Sequence, residues 1–171
     1  MTAGEWYREF YKRTSDDKEQ INKIRLSTPQ YTKAMGELLK KMAEGLGYKV
    51  VTERTSHGGG RLDQTWKKGD HEITIEHEHD YKTIDKEIRN LCDHRSQLKV
   101  LITYVPDEDF LASAVETANK VKQDIAQQGS FHGEFLLVIG PYCNNDWLSD
   151  WAAFHSIRDI RMLPLRGKPN R

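Results

Sequence analysis

The chain has 171 residues, a length that suits one compact domain able to bury a core without disulfide staples. Lys plus Arg and Asp plus Glu both number 26, so the formal net charge is zero. A protein that coats DNA indiscriminately is usually basic, so this balance argues against that class and restricts any nucleic-acid contact to local patches.

The cysteines and the hydropathy pattern set the expected surroundings. Cys92 and Cys143 are far apart and lack zinc-ligand spacing, so neither a disulfide framework nor a zinc site is indicated. No run approaches the roughly 18 apolar residues that span a bilayer, and the first residues lack the apolar stretch of a signal peptide. We therefore expect a reducing, cytoplasmic setting without a membrane partner.

Residues 5–26 predict a helical arm that is interrupted near residues 14–17. Its aromatic side chains alternate with basic ones: Trp6, Tyr7, Phe10 and Tyr11 with Arg8, Lys12 and Arg13. Such a stripe packs on its own domain or on a second subunit, which leaves a homodimer open. A nucleic-acid-binding arm is the alternative.

The remaining elements follow from apolar spacing. Ser27, Thr28 and Pro29 resemble a helix start, and the helix after them ends at Gly45 and Gly47. Strands are predicted at 48–54, 61–66 and 71–79, then a helix with Ile84 and Ile88 on one face, then a strand at 98–105. A helix from Asp107 and a buried strand at 134–139 follow. A short helix and an edge strand fit the last thirty residues.

This order, α-β-β-β-α-β-α-β, predicts an α/β layer fold with a mixed central sheet flanked by helices. The three consecutive strands after the first long helix are distinctive, because a doubly wound fold alternates strands and helices strictly.

Acidic residues concentrate on two of these strands. Along 71–79, Glu76 and Glu78 share a face, because side chains of a strand alternate. If the Lys-Lys-Gly-Asp turn pairs Trp66 with His71, Asp63 lies opposite Thr74 and on the same face as both glutamates. Diagonal neighbours of such a pair are roughly 7–8 Å apart, close enough for carboxylates to share a cation.

Three acids on one face repel each other unless a positive charge lies between them. Oxygen-only ligands favour Mg²⁺ or Mn²⁺ over zinc. The alternative is that Glu76 and Glu78 simply line a solvated face of the sheet. The alternation places His77 and His79 away from the acids, where core or edge packing is expected.

Over about residues 29–105 the chain resembles the PD-(D/E)xK nuclease superfamily, in particular archaeal Holliday-junction resolvases. The matching parts are the helix, the GYKVV strand, the SHGGG loop, RLDQTW, ITIEHE, the next helix and LKVLITYV. Asp63 matches the first metal-binding aspartate of the family and Glu76 the acid of the (D/E)xK half-motif. Glu78 stands where the family usually has lysine, which is a departure.

The resemblance implies a restriction-endonuclease-like αβββαβ core and a metal-dependent endonuclease acting on duplex or branched DNA. Asp63, Glu76 and Glu78 would be the catalytic residues and would bind Mg²⁺ or Mn²⁺. A domain that binds nucleic acid or a protein partner without cutting is the alternative.

The order of elements also sets the expected domain limits, and the resemblance raises two further residues. An N-terminal helical arm would span 1–26, the nuclease-like α/β domain 27–145, and a C-terminal extension packed on that domain 146–171. The family often carries a glutamate on its first helix, but Glu37 points away from the apolar stripe and is expected at the surface. Lys82 is a candidate for a lysine displaced from position 78.

Overall fold

The computed structural model describes residues 1–16, 28–55, 61–106, 108–129, 131–142, 151–155 and 161–162. The SHGGG loop at 56–60, Cys143 and residues 163–171 lie outside these ranges.

Four helices are described: α1 (Ala3–Asp16), α2 (Thr28–Gly45), α3 (Asp85–Cys92) and α4 (Phe110–Gln127). Seven strands are described: β1 (Lys49–Thr55), β2 (Arg61–Lys68), β3 (His71–His77), β4 (Leu98–Pro106), β5 (Glu134–Tyr142), β6 (Ala152–His155) and β7 (Arg161–Met162). In the last thirty residues, the described part forms two strands, β6 and β7.

The seven strands form one sheet in the order of the sequence, β1 to β7. β1, β2 and β3 pair antiparallel, β3, β4 and β5 pair parallel, and β6 and β7 are again antiparallel to their neighbours. The two parallel pairs need crossover connections, and α3 and α4 supply them. The expected α/β fold with a mixed sheet between helices is therefore confirmed.

Helices cover both faces of the sheet and divide the core into two clusters. On one face, α1 and α2 pack on Trp66, Ile73, Ile75 and Val100. On the other, α3 and α4 pack on side chains of β4 and β5 such as Leu101. The period of two along each strand explains the division, because alternate residues of one strand enter different clusters.

Helix α1 belongs to the first of these clusters. Trp6 and Phe10 are fully buried; their rings stack with centroids 5.2 Å apart, and Phe10 meets Trp151 edge-on at 5.0 Å. Trp6 also lies 6.0 Å from the ring of Trp66 on β2. The aromatic stripe therefore packs on its own domain. None of the helices in the described ranges is both long and apolar enough to cross a membrane.

We expect Gly133→Ala to destabilise the fold far more than Gly129→Ala. Both glycines have positive φ, +88° and +79°, so either substitution costs about 1 kcal/mol or more in backbone strain. A Cβ at Gly133 would also lie 2.6 Å from the carbonyl oxygens of Ser96 and Gln97, whereas one at Gly129 meets nothing within 4 Å. Urea unfolding of the two variants measures the difference, and equal losses would contradict the close approach.

Candidate functional site: a carboxylate cluster where two strands separate

The hairpin between β2 and β3 sets the position of Asp63. The structure pairs Lys68 with His71 and Trp66 with Ile73, so the expected pairing of Trp66 with His71 is wrong by two residues. Gly69 has φ +59°, which suits a tight two-residue turn. Both lysines of the turn sequence therefore belong to the strand.

A shift of two residues leaves every side chain on its expected face. It does change the residue opposite Asp63. The paired register runs from Lys68 and His71 to Gln64 and Ile75, and its next step brings Asp63 to Glu76 instead of Thr74.

At this step carboxylates replace backbone carbonyls as hydrogen-bond acceptors between the strands. The backbone N–H of Asp63 donates to Oε2 of Glu76 at 3.0 Å. The backbone N–H of His77 donates to Oδ2 of Asp63 at 2.9 Å. Each acid thus binds the backbone of the other acid's strand, which fixes both carboxyl groups at the point where the strands separate.

Glu76 is the most deeply buried acid of the site, with only 2% of its surface exposed. Besides the bond from Asp63, its Oε1 accepts a hydrogen bond from Nδ2 of Asn90 on α3 at 3.1 Å. Burial, and then the charge of Asp63, raise the pKa of Glu76 to about 8, although both hydrogen bonds act in the opposite direction. A glutamate with its pKa raised in this way is largely protonated near neutrality and can release its proton when a cation arrives.

Asp63 and Glu78 complete the set of expected site residues. Asp63 is exposed; partial desolvation raises its pKa, the hydrogen bond from His77 lowers it, and the charge of Glu78 raises it. Glu78 lies just beyond β3, where its Oε1 accepts a hydrogen bond from the backbone N–H of Asp80 at 3.0 Å. The structure brings Asp63 and Glu76 into direct contact and places Glu78 within electrostatic reach of Asp63.

Helix α3 adds three residues that sequence reasoning missed: Lys86, Glu87 and Asn90. The pKa of Glu87 is raised by burial, then by Glu78 and Asp63, and lowered by a backbone hydrogen bond and by Lys86. Its Oε2 is buried and has no hydrogen-bond partner among the described residues. We name Asp63, Glu76, Glu78 and Glu87 the carboxylate cluster.

A signal for these residues was present in the helix pattern. Ile84, Ile88 and Leu91 form the buried face of α3. Glu87 and Asn90 flank that face three residues apart, so they point together toward the sheet edge.

Two secondary candidates can also be placed. Lys82 is exposed, and its Nζ lies over the ring of Tyr81, 5.7 Å from the centroid. The lysine whose charge lowers the pKa of Asp63 and Glu87 is instead Lys86, one helical turn later. Glu37 is exposed on α2, the helix that packs on the opposite face of the sheet.

The donor set of the cluster suits a hard divalent cation in its chemistry. All four side chains offer carboxylate oxygens, which Mg²⁺ and Mn²⁺ prefer, and the buried oxygen of Glu87 has no partner in the described part of the chain. Within that part, however, no three His, Cys, Asp or Glu side chains are already grouped closely enough to hold a metal ion. Binding would therefore require the side chains at the cluster to draw closer.

No protein-family model matches this chain, and no curated protein matches it. The class that its architecture defines is a mixed α/β domain with a carboxylate cluster at the point where β2 and β3 separate. The resemblance to PD-(D/E)xK nucleases stays a prediction.

We expect Glu76→Gln to gain stability relative to the wild type as the pH rises from about 5 to about 8. Because the folded pKa of Glu76 is raised to about 8, the folded protein keeps a proton that the unfolded chain releases. The stability from that proton is complete below the ordinary carboxyl pKa and is lost as the pH rises through the folded pKa. Glutamine has no proton to lose.

Urea unfolding of both proteins across this pH range, without divalent metal, measures the effect. Glu116→Gln on the exposed side of α4 is the matched control and should run parallel to the wild type. A constant difference between Glu76→Gln and the wild type at every pH would contradict the raised pKa.

Proposed function

We propose that the chain is a metal-dependent endonuclease that hydrolyses DNA phosphodiester bonds, with the restriction-endonuclease-like core of the PD-(D/E)xK nucleases. One observation carries the proposal: the carboxylates of Asp63 and Glu76 are fixed side by side, each by a backbone N–H of the other's strand. The element order from α2 through β1, β2, β3 and α3 to β4 supports it.

Asp63 and Glu76 are the residues that would hold Mg²⁺ or Mn²⁺. When bound, the ion polarises the phosphodiester and lowers the pKa of an attacking water. Asp63 lies at the exposed side, where a phosphate can reach it, and Glu76 forms the buried wall. Asn90 keeps Glu76 oriented through its amide.

Glu78, Glu87 and Lys86 border this pair. Glu78 replaces the usual lysine and would position or deprotonate the water. Lys86 supplies positive charge close to Asp63 and Glu87, so a lysine on α3 serves part of the role that the family assigns to position 78. The buried oxygen of Glu87 extends the acidic wall.

A non-catalytic nuclease-like domain that binds nucleic acid or a protein partner is the second candidate. It is favoured by the hydrogen bonds that already engage the carboxylates of Asp63, Glu76 and Glu78. In that case the acids serve mainly to close the ends of β2 and β3. The two candidates differ in one property: in the enzyme the carboxylates can give up their hydrogen bonds to backbone N–H groups and bind a cation instead, and in the binding domain they cannot.

The enzyme proposal predicts Mg²⁺- or Mn²⁺-dependent nicking of duplex or branched DNA. Asp63→Asn and Glu76→Gln should each lower the rate by on the order of a hundredfold or more, because either change removes an anionic ligand of the metal ion that stabilises the charge developing in the reaction. Glu37→Gln makes the same change in charge on the exposed side of α2 and should leave cleavage unchanged.

Metal binding supplies a readout independent of cutting. Mn²⁺ at about pH 8 should raise the thermal midpoint of the wild type and of Glu37→Gln but not of Asp63→Asn, because only an intact cluster binds the ion in the folded state. Cleavage that survives in Asp63→Asn would move the active site elsewhere. Metal binding without cleavage of any DNA or RNA form would favour the non-catalytic candidate.

Position 78 separates the two candidates further. If Glu78 acts in the enzyme, Glu78→Ala should be as inactive as Asp63→Asn, whereas Glu78→Lys should retain some activity because lysine can orient the water. In a binding domain, Glu78→Lys should instead tighten DNA binding without cleavage, with a gain that shrinks as salt rises. Wild-type cutting by Glu78→Ala would remove Glu78 from the site.

A further inference from the structure

A cluster of rings lies on the face of the sheet opposite the acids. We name it the ring cluster. Its members are Tyr31 of α2, His77 at the end of β3, His79 two residues later, and Tyr104 of β4. His79 packs on Tyr31 with centroids 5.1 Å apart and meets the ring of His77 edge-on at the same distance. Tyr104 contacts both histidines and Tyr31, with centroids 5.3–5.6 Å apart.

Hydrogen bonds connect three of these rings in a row. The hydroxyl groups of Tyr31 and Tyr104 are 2.5 Å apart, and the hydroxyl of Tyr104 lies 2.9 Å from Nε2 of His77. Tyr31 and Tyr104 are each 2% exposed. The contact between Tyr104 and His77 is partly buried, and the contact between the two tyrosines is buried.

His77 joins this row to the carboxylate cluster through its own backbone. Its side chain binds Tyr104 on one face of the sheet, and its backbone N–H donates to Oδ2 of Asp63. The next residue continues the pairing, because the N–H of Glu78 donates to the carbonyl of Ile102 on β4 at 2.9 Å. The end of β3 is therefore held from both sides.

We propose that Tyr104 and Tyr31 are positioning residues for the carboxylate cluster, acting through His77. The use of this positioning, to hold a metal site, rests on the proposed function, whereas the contacts themselves do not depend on it. At this end the pairing of β3 with β4 continues, but β2 no longer pairs with β3 through its backbone, so β3 loses the restraint that β2 normally supplies. The row of hydroxyl groups replaces it by fixing the imidazole of His77, and with it the N–H that orients Asp63.

Tyr104→Phe is the test variant, because it removes both hydroxyl contacts and keeps the ring. Tyr7→Phe is its matched control. The hydroxyl of Tyr7 donates to the carbonyl of Trp151 at 2.9 Å in a buried site of the same core cluster, so this variant also loses a buried tyrosine hydroxyl and keeps the ring, without touching His77. Tyr31→Phe, which keeps the contact between Tyr104 and His77, is a milder second variant.

Amide hydrogen exchange of Asp63 and His77 is the first readout, taken relative to Val100 and Val138 in the centre of the sheet. Tyr104→Phe should speed the exchange of Asp63 and His77 by about tenfold against those reference amides, the size expected when a buried hydrogen bond is lost. Tyr31→Phe should give a smaller increase, and Tyr7→Phe should leave the ratio unchanged.

Mn²⁺ affinity is the second readout, measured by titration with free Mn²⁺ at a temperature where all variants are folded. Tyr104→Phe should bind it several-fold more weakly than Tyr7→Phe. Equal exchange ratios in Tyr104→Phe and Tyr7→Phe would overturn the positioning role. A wild type that binds no Mn²⁺ would instead overturn the metal-dependent function, while the exchange ratios would still decide the role of the ring cluster.

Discussion

The structure depends on one exchange of hydrogen bonds at the point where β2 and β3 separate. A backbone carbonyl is the usual partner of a strand N–H, and a buried N–H without a partner is costly. Here Glu76 accepts the N–H of Asp63, and Asp63 accepts that of His77. The strands can part at this point because two acids satisfy the backbone, so the opening of the sheet and the carboxylate pair have the same origin.

This arrangement places carboxylate groups in a site that is partly shielded from water. An acid as deeply buried as Glu76 is rare unless it is paired, and its second oxygen finds only the neutral amide of Asn90. Glu87 brings another half-buried carboxylate beside it. A proton on Glu76 or a cation at the cluster relieves the same repulsion, which is why the raised pKa and the proposed metal site follow from a single arrangement.

Local pattern was enough to predict which strand faces carry the acids, but not which residues meet. The alternation of Glu76 and Glu78 with His77 and His79 holds in any register, because a strand has a period of two. The exact partner of Asp63 depended on a turn in which Gly69 adopts positive φ, and both two- and four-residue loops suited the sequence. Whether α3 directs Glu87 and Asn90 toward the site depends on the orientation of the helix about its own axis. The packing of Ile84, Ile88 and Leu91 against the sheet fixes that orientation.

The same alternation gives the end of β3 two different environments, one on each face. On one side, Glu76 contacts Asp63 and Asn90 of α3, and Glu78 lies within electrostatic reach of Asp63. On the other side, His77 and His79 belong to the ring cluster with Tyr31 of α2 and Tyr104 of β4. A charged cluster tends to push its members apart, whereas packed rings resist displacement. Because both act on consecutive residues of one strand, rigidity on the aromatic face restrains the acids on the other. The backbone of β3 therefore links the packing of the ring cluster to the positions of the carboxylates.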